Sequence, residues 1–543
     1  MKKESALSLA LKRVALIICV LFVLVRSAVA QANTSYNANT IPIGGVSSTA
    51  FAFGALSFNN GTQNTAVGGY TLHYNTIGSS NTATGHYALV LNTTGNSNTA
   101  SGVATLYSNN GNDNTANGYQ ALYSNTTGNF NTASGSAALY SNTTANNNTA
   151  YGYKTLYSNT TGDLNTAIGL NALYFNTTGF QNTSNGDYSL YRNTTGYANA
   201  AHGHNALFSN TTGTYNTAIG SDALTYNTTG YENTAAGAQA LNLNVDGVSN
   251  TANGYQALFS NISGSFNTTT GAQALYYNTT GIGNIAIGYS ALHFNTIGTS
   301  NTATGSYALS SNTTGNNNTA NGSNALKNNT TGNFNIGNGT FALRFNTTGS
   351  DNNAYGNFAL RSNSTGNYNV AVGDSAGFKS LGNGNIYLGN RAGYNETGSN
   401  KLYLGNDSSK TTIYADLSTG QVLLGNKQPT GYTFKGKRTL NVVGGIITDS
   451  MRVALVNGWA DHVFSNDYSL RQLNDLENYI NDNKHLPGIP SANEVAAKGI
   501  DLGEINTKLL EKIEELTLYI LQQQKQLSKQ QLDIDGLKRN AAK

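Results

Sequence analysis

A 17-residue period runs through more than half of this chain and leaves few folds open to it. The motif Asn-Thr-Ala-x-Gly-x-x-Ala-Leu-x-x-Asn-Thr-Thr-Gly-x-x starts at Asn64 and returns in nineteen copies to Asn369, with a single 16-residue step between Asn98 and Asn114. A degenerate copy at Ser48-Thr49-Ala50 opens the array. Asn/Gly/Thr-rich composition alone would suggest disorder, but disorder needs no register held over more than 300 residues. Repeats that stack on their neighbours do need one.

The positions of the motif have physical readings. The fifth residue is glycine in every copy, Gly68 to Gly373, as a turn with positive φ or a close backbone approach requires. The ninth is leucine in all but the last copy, and the third is alanine in sixteen of them, the exceptions being Ser184, Thr269 and Gly337. These form a thin buried stripe, while the variable fourth position (Val67, Asn117, Tyr151, His202) suits an outward neighbour on a strand. The period is too short and glycine-rich for helix pairs. The expected fold is mainly β: a parallel β-roll or solenoid, each coil built of two short extended segments separated by turns at Gly-x-x and Asn-Thr-Thr-Gly. At about 4.8 Å per coil the array would be on the order of 90 Å long.

The remainder of the chain divides by composition. Lys2, Lys3, Lys12 and Arg13 precede an apolar run, Val14 to Val25, that ends at Ala28-Val29-Ala30. This is the layout of a secretory signal peptide cleaved near Ala30, too short to span a bilayer comfortably. The only cysteine, Cys19, lies within it, so the mature chain would hold no disulfide or thiolate metal site. The expected layout is a signal peptide (1–30), an N-terminal segment (31–47), the repeat array (48–384), a strand-rich connector (385–444), a small α+β module (445–503) and a coiled-coil helix (504–543).

Charge is sparse: Asp, Glu, Lys and Arg make up 10% of the chain with a net charge of +3, against a usual quarter. Scattered cations argue against nucleic-acid binding, and no later apolar run is long enough for a membrane helix. No cofactor or metal site is expected; His202 and His204 read as surface residues. The array holds no paired carboxylates, phosphate-binding loop or nucleophile–base pair, so an enzyme is not expected.

Two ladders remain. Position ten is aromatic in seven consecutive copies, Tyr107, Tyr123, Tyr140, Tyr157, Tyr174, Tyr191 and Phe208. These rings either form a platform for sugars or another cell surface, or pack on one another and stabilise the stack. Position twelve is asparagine from Asn75 to Asn363 and reads as a structural amide ladder.

From Ile505 onward the pattern is helical with heptad spacing. Ile513, Ile520, Leu527 and Ile534 share one core position, and Leu509, Leu516 and Leu537 the other, with Gln523 and Gln530 between. These are the candidate oligomerisation residues. Core rules leave dimer and trimer open, and a helix docked on its own domain is the alternative.

Two stretches resemble known families. Asn165-Thr166-Ala167-Ile168-Gly169, Asn216-Thr217-Ala218-Ile219-Gly220 and Val370-Ala371-Val372-Gly373 resemble the repeat core of trimeric autotransporter adhesin heads, a likeness that implies a three-chain parallel β-roll; the Asn-Thr-Thr-Gly insertion departs from that family and leaves a single-chain solenoid open. Trp459-Ala460-Asp461-His462-Val463-Phe464, His485-Leu486-Pro487-Gly488-Ile489-Pro490-Ser491 and Lys512-Ile513-Glu514-Glu515-Leu516 resemble the endosialidase intramolecular chaperone module of tail-fibre-like proteins. That likeness implies trimerisation of a β-rich fibre and, in some members, self-cleavage by a serine with a lysine partner. Ser465 matches the serine best, but Arg471-Gln472 stands where the lysine is expected. The expectation is therefore a secreted homotrimeric adhesin or tail-fibre-like protein, a ligand-free matrix protein being the alternative and a self-cleaving module a lesser one.

Overall fold

The computed structural model describes residues 34–36, 47–427, 434, 439–452, 459 and 461–542. The expected signal peptide, with Cys19, and most of the 31–47 segment lie outside the described residues. Two units separate at Gly444/Gly445, where the connector was expected to end.

The first unit is a parallel β-solenoid. Each coil contributes one three-residue strand, Thr-Ala-x in most coils, whose alanine is buried and whose flanking residues face outward. Strand β1 (Thr34–Tyr36) pairs in parallel with β2 (Thr49–Phe51), and β2 with β3 (Thr65–Val67). The stack continues coil by coil to β21 (Val370–Val372), β22 (Ile386–Leu388) and β23 (Lys401–Leu404). The solenoid thus starts before residue 48 and runs past 384, two coils of the expected connector belonging to it. β23 then pairs antiparallel with β24 (Thr411–Asp416), and β24 antiparallel with β25 (Gln421–Lys427), so the far end is closed by a meander rather than left as an open edge. β26 (Leu440–Val442) adds to β25 in parallel.

The expected second extended segment is absent. In its place every coil makes consecutive turns, with left-handed backbone at position seven and at the leucine of position nine, as at Asp222 (φ 56°) and Leu224 (φ 51°). Bulky residues rarely adopt this conformation. Here it is sustained because the amides of both left-handed residues find carbonyls in adjacent coils: Asp222 N donates to His204 O at 2.9 Å and Leu224 N to Ala240 O at 3.0 Å, while the leucine side chain is fully buried. Gly220, at φ 133°, opens the turn run, and a Cβ there would lie 2.6 Å from Gly237 O in the next coil.

Asparagines line the interior in two rows, at positions one and twelve, all fully or almost fully buried. Asn216 donates from both its backbone N (3.0 Å) and its Nδ2 (3.2 Å) to Asn199 Oδ1. Asn227 Nδ2 donates to Asn210 Oδ1 at 2.8 Å. Within the coil both Nδ2 groups converge on one carbonyl, Gly230 O, at 2.8 and 2.9 Å. The amides therefore satisfy each other along the axis, as buried polar groups must. The position-one row was not foreseen. Burial of the position-twelve asparagines also closes the Asn-Thr-Thr triplets to glycosylation in the folded coil.

The short coil between Asn98 and Asn114 drops a residue at the exposed corner, where Asn109-Asn110-Gly111 replaces Asn-Thr-Thr-Gly. Elsewhere Thr211 N and Oγ1 both donate to the Thr228 carbonyl, each at 3.0 Å. At the short coil, Thr93 N and Oγ1 donate instead to the side-chain oxygen of Asn110, each at 2.7 Å. A side-chain acceptor stands in for the missing backbone one.

Near the closed end three positions change together. Tyr387 replaces the alanine of position three, Gly377 and Gly393 replace the leucines that would crowd it, and Ser380 replaces the position-twelve asparagine. The Tyr387 ring is fully buried and its hydroxyl donates to Ser380 Oγ at 3.0 Å. Burial holds this phenol well above its usual pKa. Tyr403 stacks on Tyr387 and meets Tyr414 edge-on, and burial pushes the Tyr414 phenol up to about 12.

The second unit is helical among its described residues, and the expected α+β module shows no strand there. β26 stops at Val442, and Gly444 (φ 110°) turns the chain out of the extended conformation. A 3-10 turn (Asp461–Phe464) is followed by α1 (Leu473–Asn483), α2 (Ala492–Lys498) and α3 (Leu502–Ala541). α2 opens on a capping box between Ser491 and Glu494. α3 starts earlier than residue 504, since Asp501 Oδ1 accepts from Gly503 N (3.0 Å) and Glu504 N (3.1 Å).

Candidate functional site

The aromatic residues of position ten form a continuous, half-buried stack. Centroid separations from Tyr107 through Tyr123, Tyr140, Tyr157 and Tyr174 are 4.9, 5.1, 5.1 and 5.1 Å, with planes within 17° of parallel. Tyr191 and Phe208 extend it at 5.5 and 5.1 Å. Each inner ring has both faces covered by its neighbours, so the ladder offers the solvent ring edges and hydroxyls. Sugar stacking requires an open face. Tyr123 reflects this crowding: burial first, then the neighbouring phenols Tyr107 and Tyr140, raise its pKa.

Other aromatic residues do have open faces. Phe130, Tyr215, Phe266, Phe334 and Tyr368 stand at position seventeen, at least two coils apart, each more than half exposed and each with left-handed backbone. A second stack, Phe259, Tyr276 and His293, has spacings of 5.0 and 5.3 Å. Beside it lies a shallow depression of about 510 Å³ floored by Tyr277 and Phe294 and bordered by Thr279, Thr296 and Thr313. His202 sits at the end of a strand, and His204 packs edge-on against Tyr188.

Further along, the position-ten column becomes cationic at Lys327, Arg344 and Arg361. Each guanidinium rests on rings: Arg344 Cζ is 5.0 Å from the Phe341 centroid and 5.1 Å from Phe345, and Arg361 Cζ is 5.0 Å from Phe345 and 5.2 Å from Phe378. Taken one residue at a time these cations look scattered; only the coil register aligns them.

In α3 all seven seam residues, Leu509, Ile513, Leu516, Ile520, Leu527, Ile534 and Leu537, are exposed in the single chain, from 45% at Ile534 to 68% at Leu537. The helix attaches to its own module through other residues. Tyr519 donates its hydroxyl to Arg471 O at 2.6 Å, and Tyr468 donates to the Glu515 carboxylate. An apolar groove of about 370 Å³ runs beside the seam, lined by Leu476, Leu486, Pro487, Leu509, Ile513 and Leu516.

Ser465 is exposed in the turn after the 3-10 segment, its hydroxyl donating to the Asp467 carboxylate. That bond, the largest cause, holds the Asp467 carboxyl below its ordinary range and makes it a poor base. No family model, curated protein or solved structure matches this chain.

Proposed function

We propose that this protein is a non-enzymatic, secreted surface fibre that adheres through its solenoid and is assembled as a homotrimer by α3, with glycans of another cell surface as its partner. The observation that carries the reading is the seam of seven apolar residues at heptad spacing, left exposed while Tyr468 and Tyr519 hold the same helix to its module. A row of this kind is costly in water and is satisfied by further copies of itself. Three identical arrays could pair out of step by a whole coil, and a preassembled helix would register them. The likeness of residues 445–543 to the endosialidase chaperone module supports the same role. The test is the mass in solution of a chain lacking residues 504–543: monomer or aggregate is expected, and an unchanged trimer would overturn the reading.

A ligand-free matrix protein is favoured by one observation, the mutual covering of the tyrosine faces. Replacing Tyr140, Tyr157 and Tyr174 by alanine tells whether the ladder is architecture or contact, and absence of adhesion in the wild type would favour the matrix reading. Loss of stability with adhesion of the folded fraction intact places the ladder inside the architecture, whereas loss of adhesion at unchanged stability assigns it to the partner.

A further inference from the structure

Residues 64–384 contain six lysines and arginines, and four of them, Lys327, Arg344, Arg361 and Lys379, fall in the last four copies, followed closely by Arg391. The first three occupy position ten of successive coils, and the parallel register places them one above the next. All five rest on aromatic rings, Lys327 Nζ 5.0 Å from Tyr307, Lys379 Nζ 6.0 Å and Arg391 Cζ 4.9 Å from Tyr394, in addition to the contacts of Arg344 and Arg361. None of the five is in an ion pair among the described residues, although Lys401, in the following coil, pairs with Asp416 at 2.7 Å. The acids of these coils, Asp351, Asp374 and Glu396, belong to other columns, at positions seventeen, six and twelve, and Glu396 is engaged by the Tyr403 hydroxyl; Asp407, in the next coil, feels Arg391 without pairing with it. The Nε atoms of Arg344 and Arg361 are buried without a hydrogen-bond partner.

Like charges on neighbouring rungs repel. The rings beneath them ease the repulsion through their negative faces but do not neutralise it. They also fix the place of each guanidinium, whose planar fork can meet a carboxylate with two parallel hydrogen bonds. The rung spacing selects among polyanions. Coils repeat at about 4.8 Å, close to the length of one hexose unit in an extended polysaccharide and unlike the ~3.4 Å axial rise per phosphate of a duplex strand.

We propose that Lys327, Arg344, Arg361, Lys379 and Arg391 form a docking strip for a carboxylate-bearing polysaccharide, with one uronic acid unit per coil along the stacking axis. This rests on the adhesive reading and moves the contact from the tyrosine ladder to the cationic end of the same column at Lys327, Arg344 and Arg361, which Lys379 and Arg391 flank at positions eleven and seven.

The test uses the full-length protein with polygalacturonate, its fully methyl-esterified form and a single-stranded DNA. Wild type is expected to bind polygalacturonate at least about ten-fold more tightly than the ester, with affinity falling as salt rises. The triple variant K327S/R344S/R361S is expected to lose that advantage. Serine already occupies position ten at Ser310, and a tyrosine series at the same three sites, matching Tyr140, serves if the serine series fails to fold. R344K/R361K keeps the charge without the fork and should fall between. Wild-type affinity in the folded triple variant overturns the proposal, as does equal binding to the ester or equal binding to DNA. Binding of a neutral polysaccharide alone would sink the strip and leave the adhesive reading standing; no binding to any polysaccharide or cell surface would sink both.

Discussion

Gly377 stands where every earlier full repeat has leucine, and a consensus substitution would restore leucine there. Packing makes the opposite prediction. A Cβ at Gly377 would lie 2.5 Å from the Tyr387 ring, and one at Gly393 2.2 Å from its other edge, so the ring fills the space of two leucines. The backbone is not the obstacle, since Gly377 has φ 59° and Leu360, one coil earlier, has φ 49°. Gly377→Leu should therefore cost the ~1–3 kcal/mol of an overpacked core. Tyr387→Ala should cost about 3–5 kcal/mol, as large aromatic-to-alanine changes do, and it also removes the hydroxyl donor to Ser380. Combined, the two changes restore one of the two leucines that the ring displaced, Gly393 remaining as it is. The double variant should be more stable than Tyr387→Ala alone, with a coupling of about 2 kcal/mol. Hydrogen exchange of residues 370–404 reads this directly, because each 1.4 kcal/mol of lost opening free energy speeds exchange about ten-fold. A Gly377→Leu protein as protected as wild type, or singles that simply add in the double, would refute the packing account.

Asn210→Ala strips Asn193 Oδ1 of its donor and Asn227 Nδ2 of one acceptor, so exchange in the flanking coils should rise by the equivalent of about 2–4 kcal/mol; Thr212→Ala, on the exposed corner, should stay within about 0.5 kcal/mol. The hydrogen bond from Lys401 holds the Asp416 carboxyl at about 2, below its usual value, so the unfolded chain takes up the proton first. Its contribution is complete above the unfolded carboxylate pKa of about 4 and fades as pH falls through about 2; acid titration should loosen β24 and β25 in wild type more steeply than in Asp416→Asn. Ser465→Ala and wild type should both purify as the same full-length chain, differing in intact mass by the lost oxygen alone, and a shortened wild type beside a full-length variant would establish self-cleavage.

The period carried most of the fold. Gly68 to Gly373, the position-nine leucines and the position-three alanines were legible because a repeat displays each constraint many times over. The second extended segment was misread because leucine flanked by aromatics has high strand propensity. Inter-coil hydrogen bonding and full burial override that preference and hold Leu224 and its equivalents in a left-handed turn. The buried asparagine of position one looked like a mere marker of the repeat start; a polar residue gives no sign of burial until its partner, one coil away, is located. The helix α3 was readable from heptad spacing alone, although it begins at Leu502. The covering of the tyrosine faces and the alignment of Lys327, Arg344 and Arg361 depend on side-chain directions and coil stacking, which residue spacing alone does not supply.

The substitution of a side-chain oxygen for a backbone carbonyl at Asn110 bears on how such a chain can change in length. Removing or duplicating one whole coil would leave every junction with the same kinds of partner, so unequal recombination between near-identical coding units could lengthen or shorten the protein without redesign. Loss of a single codon falls at that same corner in the later short coils too, at Ser380-Leu381-Gly382 and Glu396-Thr397-Gly398, and at Asn110 an amide restores the lost acceptor. Reach would then be an inherited variable of this protein, adjustable in steps of one coil.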